Sequence, residues 1–92
     1  MYHLLFYEVT DDYIERRASL RSEHLELARQ SQARGEMVMG GALADPVDGT
    51  VIVFRGDSPA VAEEFVQADP YVKHGLVKSW RIRKWNVVIG GE

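Results

Sequence analysis

The chain has 92 residues, 14 of them acidic and 11 basic, for a net charge of −3 and no cysteine. That length holds one hydrophobic core and not two, and the missing cysteine excludes a disulfide scaffold, a thiolate metal site and a cysteine nucleophile. The negative balance argues against non-specific nucleic-acid binding, which depends on neutralising phosphates.

The elements follow in chain order without an internal repeat or linker. Tyr2 to Val9 alternates as a strand, and both of its period-two sets are mostly apolar, which predicts cover on both faces. The start carries no basic leader, and no run approaches the roughly 20 apolar residues of a membrane span. A cytoplasmic protein is the expectation. Thr10-Asp11-Asp12 is a polar break. A helical pattern then runs from about Tyr13 to Arg34, in which the segment before Leu20 reads alternatively as a separate short turn, and Gly35 is a suitable stop. Met37 to Ala44 reads as a second strand containing Gly40-Gly41. The turn Asp45-Pro46-Val47-Asp48-Gly49 joins it to a third strand, Thr50 to Arg55, as an antiparallel hairpin.

Ser58 as N-cap and Pro59 in the first turn open a second helix. Val61, Ala62, Phe65 and Val66 form its inward stripe, and Pro70 ends it. A short turn covers Tyr71 to Gly75, and Val77 to Val88 is the last strand. The order βαββαβ predicts an α+β, ferredoxin-like domain over residues 1–92: a four-stranded antiparallel sheet with two helices on one face. The other sheet face then lacks cover within the chain. A large open apolar face marks an interaction surface, and the expected partner is a second copy, forming a homodimer.

His24 stands on the inward stripe of the first helix with Leu20, Leu27 and Ser31, and Arg21 lies about one turn earlier on an adjoining edge. A histidine there is either a general base or a core residue satisfied by one partner. Asp69-Pro70 is by itself a turn device. Helices packed side by side bring their facing edges together, however, so Asp69 is a candidate to bond and orient His24. Gly40-Gly41 marks either a bulge and close approach or simple sheet curvature. His3 and His74 have no metal-ligand spacing with His24, so no metal or other cofactor is expected. Arg81 and Arg83 near Trp80 and Trp85 do not form an RNA-stacking signature. Facing the covered side, they would suit an anionic substrate.

Taken together, Arg21-x-x-His24-Leu25, Gly40-Gly41-Ala42-Leu43, Ala68-Asp69-Pro70-Tyr71-Val72 and the closing basic-aromatic strand resemble the YCII-related (YciI-like) family. That resemblance implies a dimeric α/β barrel similar to muconolactone isomerase, with an active site built on a His–Asp pair that maps onto His24 and Asp69. It also implies proton-abstraction chemistry, since dehydrochlorination of a chlorohydroxyquinol belongs to one branch. The expectation is a cofactor-free lyase or isomerase acting on a small, cyclic or aromatic, anionic molecule. Arg21, Ser31, Tyr7, Gly41 and Tyr71 are its candidate substrate-binding residues. The alternative is a non-catalytic dimeric module for a small metabolite or a protein partner. A cofactor-independent monooxygenase ranks third, on fold analogy alone.

Overall fold

Alternating apolar residues, helical stripes and glycine stops resolve into eight elements in a computed structural model, which describes residues 1–91. These are β1 (Tyr2–Val9), α1 (Tyr13–Arg17), α2 (Arg21–Ala33), β2 (Met37–Ala42), β3 (Gly49–Arg55), α3 (Ala60–Ala68), α4 (Pro70–Lys73) and β4 (Val77–Trp85). The strands lie in the order β2-β3-β1-β4, and every neighbouring pair is antiparallel. This is the expected ferredoxin-like α+β arrangement. Glu92, the last residue of the expected domain, lies outside the described residues.

One set of β1 side chains, His3, Leu5, Tyr7 and Val9, is buried under the helices. Ile52 and Phe54 of β3 join it, as do Ala62, Phe65 and Val66 from α3. The other set faces away. Phe6 pairs with Val51 and Arg81, and Leu4 with Val53 and Arg83, and directly opposed residues share a face. The Arg81 guanidinium lies 4.7 Å from the centre of the Phe6 ring. Arg81 and Arg83 are thus on the open face, not on the covered side where they would have suited an anionic substrate. The register of β4 against β1 decides this.

The segment from Tyr13 to Arg34 is two helices, and the separate element before Leu20 is α1. Leu20, at φ −109° and ψ −7°, interrupts the helical backbone, and its N–H bonds back to the Arg17 carbonyl at 2.9 Å. A single straight helix of that length would run about 33 Å, past the roughly 26 Å of an eight-residue strand. The break lets α1 bury Tyr13 while α2 follows the sheet. Gly35, at φ +80°, ends α2 as expected. The N–H of Glu36 reaches the Ser31 carbonyl at 3.0 Å and that of Gly35 the Gln32 carbonyl at 2.9 Å, the paired bonds of a Schellman stop.

Pro59, not Ser58, is the N-cap residue of α3, though the Ser58 hydroxyl still accepts from the Ala60 N–H at 3.2 Å. The last strand stops at Trp85 rather than Val88, because Trp85 already pairs with Tyr2, the first residue of β1. The ladder shift in the β2–β3 hairpin falls between Met37 and Met39, ahead of the two glycines. Among the described residues, no helix is long and apolar enough to cross a membrane.

Candidate active site

A residue before proline is pushed out of the helical region. Asp69 accordingly leaves α3 with an extended backbone, φ −70° and ψ 119°. Pro70 then starts α4, and Asp69 becomes its N-cap, with Oδ1 accepting the Tyr71 N–H at 3.0 Å. The carboxylate is fully buried, so each further lone pair needs a protein donor. His24 supplies one from α2, its Nδ1 lying 2.8 Å from Oδ1. Tyr7 supplies another from β1, its hydroxyl donating to Oδ2 at 2.7 Å. Donors from three separate elements thus converge on one carboxylate.

The imidazole is held as firmly by its ring contacts. It stacks on Tyr71 at 3.9 Å between centres, with planes 10° apart, and meets Phe65 edge-on at 6.1 Å. Because Asp69 accepts at both oxygens, Nδ1 is the nitrogen that carries the proton. No hydrogen bond joins Nε2 to any of the described residues, and the ring lines a cleft of about 190 Å³.

Gly40, Ala42, Thr50 and Ile52 form part of the cleft lining; Tyr13, Arg17 and Arg21 stand opposite, beside Tyr71. Among the described residues neither arginine is ion-paired, and no carboxylate lines the cleft. The cleft is therefore lined by two cationic side chains, with the Asp69 carboxylate behind the imidazole. A Cβ at Gly40 would lie 3.2 Å from Ile52, whereas one at Gly41 would meet nothing within 4 Å. A larger, more open hollow of about 630 Å³ runs beside Phe6, Glu8, Lys78 and Arg81 at the end of β1. It contains no imidazole and carries charges of both signs.

The cleft brings together His24, Arg21, Gly41 and Tyr71. Two other candidates lie elsewhere. Ser31 is buried away from the cleft, two turns beyond His24, and its hydroxyl has no partner among the described residues. Tyr7 does not reach the cleft because its hydroxyl is turned to Asp69. Arg17, Tyr13 and Thr50 line the cleft without having been singled out. Arg17 ends α1 and Arg21 begins α2, so the break between the two helices lies between the two arginines. Thr50, opposite Tyr7 in the sheet, is a buried hydroxyl with no partner among the described residues.

Burial, and then the Asp69 carboxylate, push the Tyr7 phenol far above its ordinary value of 10.0. Burial, and then Tyr13, raise Tyr71 in the same direction. Below pH 10 the folded and unfolded chains both keep these protons. Above it the unfolded chain releases them first, so stability falls by up to about 1.4 kcal/mol per pH unit for Tyr7, and Tyr71 adds to the decline in the same direction. Urea unfolding between about pH 9 and 11 is expected to show this decline. Tyr7→Phe should make it shallower without abolishing it, because Tyr71 remains. An equal slope in the variant would contradict the assignment.

A four-stranded ferredoxin-like sheet, open on one face and carrying a buried carboxylate–imidazole pair at a cleft on the other, has the fold of the dimeric α/β barrel proteins. The chain belongs to the YCII-related domain family, whose family model matches residues 1–86. Among solved structures it is similar to a 5-chloro-2-hydroxyhydroquinone dehydrochlorinase from Burkholderia phenoliruptrix, in complex with 2,5-dihydroxybenzoquinone. The TM-score is 0.78 at 19% identity, over 94% of each chain. It is also similar to a candidate antibiotic biosynthesis monooxygenase from Deinococcus radiodurans, with a TM-score of 0.59 at 13% identity over 99% of this chain and 95% of that one. A NIPSNAP family protein from Agrobacterium tumefaciens gives 0.55 at 14%, over 89% and 87%. At these identities the likeness is one of fold. No curated protein matches the chain in sequence.

Proposed function

We propose that this chain is an enzyme of the lyase or isomerase type that moves a proton on a small anionic ring compound. The observation that carries the reading is the His24 imidazole: Nδ1 bonded to a buried carboxylate, Nε2 without a hydrogen-bond partner among the described residues, and the ring in the wall of a cleft. Nε2 takes a proton from a carbon or oxygen of the substrate. The electron pair of that bond moves into the ring system, where it either expels a leaving group or returns to a proton at another atom. Asp69 fixes the tautomer and stabilises the imidazolium. Arg17 and Arg21 stabilise the negative charge that develops on substrate oxygen.

A cleft near 190 Å³ suits one substituted ring, since a cavity of ~150 Å³ holds benzene. The compound named for the Burkholderia dehydrochlorinase is such a single substituted ring, bearing hydroxyl groups. The test is a screen of hydroxylated aromatics, quinols and small ring acids against wild type and His24→Ala. Turnover by wild type and not by the variant is the expected outcome. A second reading, a small-molecule-binding module without turnover, is favoured by the amount of structure the same pair joins, with β1, α2 and α4 meeting at Asp69. Binding by both proteins and turnover by neither would support it.

The open sheet face is proposed to pair with that of a second copy. Its centre is apolar, with Leu4, Phe6, Val51 and Val53, and its β4 side carries Arg81 and Arg83. Sedimentation is expected to show a dimer for wild type and a monomer for Leu4→Glu. The new carboxylate has Arg83 beside it in the monomer, so it should not unfold the domain, yet it would be buried between sheets. A monomeric wild type at micromolar concentration would refute the proposed pairing.

A further inference from the structure

We infer that Tyr7 is a positioning residue that sets the proton affinity of His24 through Asp69, an inference that rests on His24 acting as the base. Two short hydrogen bonds join them across one carboxylate: the Tyr7 hydroxyl to Oδ2 at 2.7 Å, and His24 Nδ1 to Oδ1 at 2.8 Å. Asp69 is fully buried and Tyr7 is 4% exposed, so the bonds lie where a low dielectric strengthens them. Each donor spreads the carboxylate charge and lessens the field left for an imidazolium. A carboxylate with Tyr7 attached holds the protonated ring less tightly than one without it. The base therefore gives its proton back more readily, as a proton relay requires.

The phenol can play this part at every pH at which an imidazole titrates, because burial and the carboxylate keep it protonated. Its place is set by the sheet: Tyr7 pairs with Thr50 on one side and Trp80 on the other. It does not line the cleft, so it acts through Asp69 and not on the substrate. Several other groups face the imidazole: Arg21 from α2 itself, Arg17 and Tyr13 from α1 across the cleft, Tyr71 from α4 and Phe65 from α3. Of these, Tyr71 also bonds Asp69, through its backbone N–H to Oδ1. Deleting the Tyr7 oxygen leaves them all in place.

The experiment is an NMR titration of the imidazole nitrogens in the full chain, which needs no substrate. It compares wild type, Tyr7→Phe, and a chain with 3-fluorotyrosine at position 7, whose more acidic phenol is a stronger donor. In Tyr7→Phe the midpoint of His24 is expected to rise. In the fluorinated chain it is expected to fall. His3 and His74, neither of them bonded to Asp69, should not move in either. Opposite shifts confined to His24 are not produced by general loosening of the domain. An unmoved His24 midpoint in both chains, or a shift of the same sign in both, would overturn the inference. The two ideas fail separately. Loss of turnover in His24→Ala with an unmoved midpoint removes only the Tyr7 coupling. Retained turnover in His24→Ala with opposite shifts removes only the catalytic reading.

Discussion

Replacing His24 with alanine should lower turnover of the chain's substrate by about 10²–10⁴, the usual worth of a positioned general base. The fold should survive, because among the described residues the ring's only hydrogen bond is to Asp69, and that carboxylate keeps donors from Tyr7 and the Tyr71 backbone. Substrate affinity should change less than rate, since Arg17, Arg21 and the sheet floor of the cleft remain. His24→Gln is a useful companion: it restores a polar side chain of similar length but no base, so its turnover should stay as low. Substantial turnover by either variant would rule out His24 as the group that moves the proton.

Asp69 should show the larger effect on folding. Asp69→Ala strands three donors at once: the Tyr7 hydroxyl, the Tyr71 N–H and the His24 Nδ1–H. Leaving one buried polar group unpaired costs about 1–3 kcal/mol, and part of the loss is shared because the ring can turn toward the cleft. A net destabilisation of about 3–5 kcal/mol is expected from urea unfolding. That is a large part of the ~5–15 kcal/mol available to a domain. Asp69→Asn separates structure from chemistry. The amide still accepts at its oxygen and can donate to the Tyr7 hydroxyl, so most of the stability should return. It cannot stabilise an imidazolium as a carboxylate does, so turnover should stay low. A loss below about 1 kcal/mol in Asp69→Ala would mean that the three bonds do little to hold β1, α2 and α4 together.

These expectations concern residues that the sequence marks in different ways. Asp69 is marked by Pro70, since the proline ends α3 there whatever the rest of the chain does. Gly35 likewise ends α2 where its left-handed backbone is needed. The apolar stripe Ala62, Phe65 and Val66 points α3 at the sheet. Other features had no local sign. The end of β4 at Trp85 depends on where β1 begins. The placement of Arg81 on the open face depends on a register that alternating apolar and basic residues leave undecided.

The two apolar sets on β1 show the division most clearly. By itself, the alternation from Tyr2 to Val9 determined that this strand offers apolar side chains to both faces, and with the order of elements it determined a sheet with one face left over. Only the tertiary structure decided which set meets the helices, and so that Tyr7 and not Phe6 carries its ring toward α2 and α4. Local pattern specifies how often a side chain changes face, which is a property of the strand's own dihedrals. Which atom the side chain then reaches is decided by elements more than sixty residues away, as the bond from Tyr7 to Asp69 is.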